Sequence, residues 1–175
     1  PNPSTLKTPA PKKSLKKADS FLRNILKVKE FPRSPKPKLM SSSKKFKVVI
    51  DTNVFISGIF FGGNPLKTLR LWQRRKIELV ISPELEAEII RKLKAFYASE
   101  ELLTDWKRVI EENSIQILPK VNPKLSRDPK DNFLLAAALT TAADYLITGD
   151  KDLLILGKIG STRILKPAQF IKEFR

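Results

Sequence analysis

Residues 46–57 read FKVVIDTNVFIS. The run Val48-Val49-Ile50 is apolar and β-branched throughout, and it stops at once in Asp51-Thr52-Asn53. An unbroken apolar run closed by turn residues is the pattern of a strand covered on both faces, as in a parallel sheet. Asp51 then falls at the carboxyl end of that strand, on the edge where open α/β sheets bind ligands. Asp51, Thr52 and Asn53 offer a carboxylate, a hydroxyl and an amide in succession. Donors that are all oxygen suit a hard cation such as Mg²⁺ or Mn²⁺. The same residues also read as a helix cap, because Asp and Asn are preferred N-cap residues.

Further along the chain, strand and helix patterns alternate. Residues 54–61 form an apolar turn or short helix, broken by Gly62-Gly63-Asn64-Pro65. Helical spacing runs from Leu66 to Lys76, and Leu79-Val80-Ile81 is a second strand. Ser82-Pro83-Glu84 starts a helix to about Tyr97, with Ser as N-cap, Pro in the first turn and an acid behind it. Ser99 opens another helix to about Glu112, Ile115–Leu118 is a third strand, and residues 119–127 are a loop. Asp128-Pro129-Lys130-Asp131 opens an Ala-rich helix ending near Ala143. Tyr145–Thr148 is a fourth strand stopped by Gly149-Asp150, followed by a short helix over Lys151–Leu156. Arg163–Lys166 is a fifth strand and Pro167–Phe174 a last helix. Strands separated by helices mean βαβ units. The expectation is an α/β fold, a three-layer α/β/α sandwich on a mostly parallel sheet of about five strands, over residues 46–175.

Composition narrows the chemistry. The 175 residues include no Cys and no His. Disulfides, thiol nucleophiles, Cys/His zinc sites and imidazole bases are therefore excluded, and acid–base or metal chemistry must rest on Asp, Glu, Lys or Tyr. The net charge is +16, and it is uneven: residues 1–45 hold 13 of the 34 Lys and Arg but 2 of the 18 Asp and Glu. That segment also carries 7 of the 13 prolines, a disordered-tail composition. Within it Phe21, Leu22, Ile25 and Leu26 share one helical face, read as a transient helix in a solvated tail, as a short docking helix for a partner or as a membrane-surface segment. Met40 is the only methionine and an alternative start of translation. So basic a chain points to nucleic acid or an anionic membrane surface. No apolar run is long enough to span a bilayer, and a cytoplasmic protein without membrane contact is expected.

Acids recur at matching places: Asp51 after the first strand, Asp131 at a helix start, Asp150 after the fourth strand, and Glu88 on the helix after the second. In a parallel sheet these positions share one edge. Carboxylates on one rim repel unless a cation lies among them, and with no His an oxygen-only Mg²⁺ or Mn²⁺ site is the consistent choice. Each acid also has a bland reading, as a cap or as a first-turn acid favoured by the helix dipole. Lys130 and Lys151 beside them suit a phosphodiester backbone.

The motifs VVIDTNVFISG, SPELEAEIIRKL, RDPKDNFLLAAAL and ADYLITGDKDLL occur in that order. With them, residues 47–170 resemble a PIN domain, most closely the PIN-family ribonuclease toxins of prokaryotic toxin–antitoxin pairs. The resemblance implies a Rossmann-like α/β/α fold and a metal-dependent ribonuclease. Matched by motif, Asp51, Glu88, Asp131 and Asp150 are its acidic tetrad, with Asp152 as an additional acid at the metal. Helix geometry alone does not separate Glu88 from Glu84 or Glu86; the motif does. Asn53, Thr148, Lys130 and Lys151 are expected to meet substrate. The partners implied are RNA, an antitoxin protein and a second copy of the chain. The long basic tail departs from such toxins, which start almost at the first strand. Two rivals are a non-catalytic RNA-binding domain of the same fold and a phosphoacceptor receiver domain. The second would need an Asp after the third strand, where Leu118-Pro119 stands.

Overall fold

A computed structural model of the chain describes residues 45–96, 99–121, 123 and 131–174. The segment 18–27, Lys130 and most of the loop before it lie outside the described residues. The elements in order are β1 (Phe46–Ile50), α1 (Thr52–Phe60), α2 (Gly63–Gln73), β2 (Ile77–Ile81), α3 (Pro83–Ala95), α4 (Glu100–Asn113), β3 (Ser114–Gln116), α5 (Asn132–Thr141), β4 (Tyr145–Ile147), α6 (Lys151–Leu156), β5 (Lys158–Ile159), β6 (Thr162–Leu165) and α7 (Pro167–Lys172).

The strands form one sheet in the order β3-β2-β1-β4-β6-β5. Every pairing is parallel except β5 with β6. Successive residues of a strand point to opposite faces. Val48, Val49 and Ile50 are all fully buried, as are Leu79, Val80 and Ile81, so both faces of the central strands are covered. That is the three-layer α/β arrangement expected. The strand order runs outward from β1 through β2 to β3, then returns to β1's other side with β4. The reversal between β1 and β4 creates the crevice at which open α/β sheets place ligands.

Large aromatics hold the layers together. Phe55 of α1 lies against Trp72 and Trp106, with ring centroids 5.9 and 5.6 Å apart. The Trp72 indole N–H donates to the Asn113 carbonyl at 2.8 Å, so its one polar atom is satisfied. α5 buries every residue from Leu134 to Ala138, as a helix apolar on all sides must. α7 docks through Phe170, which meets Tyr145 edge-on at 5.1 Å.

Several boundaries differ from expectation. α2 begins at Gly63 rather than Leu66, because Pro65 sits in the first turn, where the missing N–H costs no helical bond. The break falls one residue earlier, at Gly62, whose φ of 78° is the left-handed geometry that glycine adopts without penalty. β3 ends at Gln116; the Ile117 N–H still pairs with Ile81 O at 2.9 Å, but Leu118 is out of the sheet and exposed. A sixth strand, β5, turns back on β6 as a short antiparallel hairpin.

Candidate functional site

The site grows from the ends of β1 and β4. After Ile50 the Asp51 N–H still pairs with Ile147 O at 2.9 Å, so Asp51 is held at the last rung of the β1–β4 ladder. Its Oδ1 accepts the Asn53 N–H at 2.8 Å and caps α1. Its Oδ2 accepts from the Thr148 hydroxyl at 2.5 Å. The same hydroxyl oxygen accepts the Asp150 N–H at 3.0 Å, so Thr148 ties the two strand ends together. Asp150 caps α6 through Oδ1, which accepts the N–H of Asp152 at 2.7 Å and of Leu153 at 3.2 Å. The cap reading is thus true of both Asp51 and Asp150.

Asp51 is not an ordinary cap, however, because it is only 5% exposed. Burial pushes its carboxyl above the usual range. The Thr148 hydroxyl, the Asn53 N–H and the Lys92 ammonium oppose the shift, and the Glu88 carboxylate adds to it. A buried anion with a second anion beside it is relieved by a cation or a proton.

Glu88 approaches from the other side of β1, on α3. Its Oε2 accepts from the Thr52 hydroxyl at 3.1 Å. Its Oε1 lies 3.2 Å from the Lys92 ammonium, one turn further along α3. Lys92 also donates to Asn53 Oδ1 at 2.7 Å. Arg91 reaches the same Glu88 oxygen at 3.7 Å, but its side chain is 71% exposed and counts for little.

The other acids take their places by topology. Asp131 immediately precedes α5, half-buried, and its carboxylate does not cap that helix. Asp152 lies in the first turn of α6, half-buried, and Lys151 beside it is exposed. Asn53 is exposed at the start of α1. Thr148 is fully buried, and its hydroxyl is committed to Asp51 and Asp150 rather than to the surface. The donor set is oxygen throughout, which fits Mg²⁺ or Mn²⁺ chemically. Among the described residues, no three acidic side chains converge closely enough to share an ion. Both Glu88 oxygens are instead engaged within the protein, one of them by an ammonium.

At this corner Lys92 escaped the sequence reading, and Thr52, read there as an oxygen donor beside Asp51, has a role the sequence did not show. Lys92 stands four residues after Glu88, the spacing of a helical ion pair, and that spacing was its only signal. Thr52 follows Asp51 directly, but nothing in the sequence says that its hydroxyl turns to Glu88.

Residues 47–152 match a family model described as a PIN domain, and that span contains Asp51, Glu88, Asp131, Asp150 and Asp152. An uncharacterized protein of Methanocaldococcus jannaschii is 35% identical over 144 residues, which is 74% of this chain and 92% of the relative. On the match over residues 47–152 and this 35% identity over 74% of the chain, the chain belongs to the PIN domain family.

Proposed function

We propose that the chain is a metal-dependent endoribonuclease that hydrolyses RNA phosphodiester bonds at the crevice between β1 and β4. PIN domains are generally nucleases, which supports phosphodiester cleavage as the reaction class. Asp51 is the observation that carries the reading. It is a buried carboxylate fixed through both oxygens at the point where strand order reverses, with Glu88 close enough to push it further up. A buried acid whose carboxyl is raised by burial and by a neighbouring acid is a candidate functional group. Asp51, Glu88, Asp131, Asp150 and Asp152 are the residues that would hold Mg²⁺ or Mn²⁺ once drawn together around it, and the ion would supply an acidified water and offset charge at phosphorus.

The chain's own residues do the rest. Thr148 fixes the orientation of Asp51. Asn53 and Lys151 are exposed at the starts of the helices that follow β1 and β4, where an amide and an ammonium suit phosphate oxygens; Lys130 precedes Asp131 in the sequence and is assigned the same role. No His exists to serve an imidazole-based attack by the RNA 2′-hydroxyl. The reading assigns water as the nucleophile, with products that carry a 5′-phosphate and a 3′-hydroxyl. Asp51→Asn and Asp131→Asn should each reduce the cleavage rate by about a hundredfold or more, with circular dichroism unchanged. Full activity in either variant would overturn the assignment.

A finer reading makes this nuclease the toxin of a toxin–antitoxin pair, acting as a homodimer under an antitoxin's control. Its support is the motif resemblance. Expression should then arrest growth, and Asp51→Asn should abolish the arrest. Active nuclease without growth arrest would favour RNA processing instead.

A further inference from the structure

We infer that Lys92 is a built-in counter-cation of the acidic corner, one that sets the affinity for the divalent metal by competing with it for Glu88. The inference rests on the metal-dependent reading above and concerns a residue which that reading does not use. Three observations carry it. The Lys92 ammonium contacts Glu88 Oε1 at 3.2 Å and Asn53 Oδ1 at 2.7 Å, so it joins α3 to the first turn of α1 directly beside Asp51. Its side chain is 24% exposed and that of Glu88 27%, so the pair is less screened than a surface ion pair. The remaining Glu88 oxygen accepts a hydrogen bond from Thr52 while Oε1 faces the ammonium, so a dication arriving at Glu88 meets the Lys92 charge. Lys92 also acts on Asp51 in the sense opposite to Glu88, which places its charge within reach of both acids.

A resident ammonium neutralises the corner without metal, letting the acids pack together at low cost. The same charge repels an arriving dication and must yield Glu88 to it. Removing the charge should therefore weaken the metal-free protein and tighten metal binding. A merely structural lysine predicts the reverse for metal. Its loss would release Glu88 and Asn53 and leave affinity unchanged or lower.

The test is Mn²⁺ binding by isothermal titration to the full chain, with melting temperature measured in EDTA and in saturating Mn²⁺. Lys92→Met should bind Mn²⁺ about tenfold more tightly, as expected for loss of a unit charge a few ångströms from a dication. It should also show a lower melting point in EDTA and a larger rise on adding Mn²⁺. Lys92→Arg keeps the charge and should bind as the native protein does. Lys92→Gln, which retains a donor for Asn53, gives the same readout if the Met variant fails to fold. Native binding with unchanged or weaker affinity in both neutral variants overturns the inference alone. No Mn²⁺ binding by the native protein or any variant overturns the metal-dependent reading together with it.

Discussion

Burial lifts the Asp51 carboxyl above its usual range, and the consequence for stability has a definite sign. A carboxyl raised in the folded state contributes stability while it is protonated, below its unfolded value. That contribution is lost as pH rises through the folded value. At neutral pH and without metal, the ionised Asp51 therefore works against the fold. Asp51→Asn removes this loss. The replacement keeps an oxygen for the Asn53 N–H, and the Thr148 hydroxyl has acceptor capacity for the new amide. In EDTA the variant should melt at or above the native temperature, and the gap should close as pH falls into the acid range. Differential scanning fluorimetry across pH reads this directly, and a variant less stable at neutral pH would contradict it. Thr148→Val tests the partner. Deleting a buried hydroxyl that serves Asp51 and the Asp150 N–H should cost about 1–3 kcal/mol by chemical denaturation. The nuclease rate should fall as well, because Asp51 is then free to turn. A stable variant of native rate would show that Thr148 orients nothing of consequence.

Between elements, α1 fits closely against α2. A Cβ built on Gly58 lies 2.8 Å from Leu69 Cδ1, 3.0 Å from the Pro65 carbonyl carbon and 3.1 Å from the Leu66 nitrogen. The leucine methyl can shift, but the backbone of Pro65 and Leu66 cannot without moving α2. Gly58→Ala should thus cost about 1–3 kcal/mol by overpacking, more than the roughly 1 kcal/mol that Ala gains over Gly in a helix. A rise in melting temperature would mean that the two helices are less closely fitted. The legibility of the elements follows their environment. β1, β2 and β4 read cleanly from sequence because burial on both faces makes Val48–Ile50, Leu79–Ile81 and Tyr145–Ile147 apolar runs. β5 was missed because Lys158–Ile159 is two residues long, followed by Gly160-Ser161, and resembles a loop. Asp51 and Asp150 were legible because a strand end followed by a helix start fixes where a carboxylate must stand. The Lys92–Asn53 contact was not, because it spans 39 residues and depends on how α3 lies across α1.

Across the whole molecule the dominant feature is charge. Residues 1–45 hold 13 Lys and Arg against 2 acids, in a segment too polar to build a core. Each phosphate that such a segment neutralises on single-stranded RNA contributes about −0.7 to the log–log dependence of affinity on salt. Deleting residues 1–39 should therefore weaken RNA binding and flatten the salt slope, by roughly 4 if five or six contacts are lost. The rate at saturating RNA should hardly change. An unchanged slope with raised activity would instead mean that the Phe21–Leu26 segment covers the acidic rim. The claim on which all else depends is hydrolysis by water at a carboxylate-held metal. It is tested most directly by end-group analysis of a labelled RNA cleaved by the full chain in Mn²⁺ and in EDTA. The account predicts 5′-phosphate and 3′-hydroxyl ends in Mn²⁺ and no cleavage in EDTA. Cleavage that persists in EDTA and leaves 2′,3′-cyclic phosphate ends would contradict it.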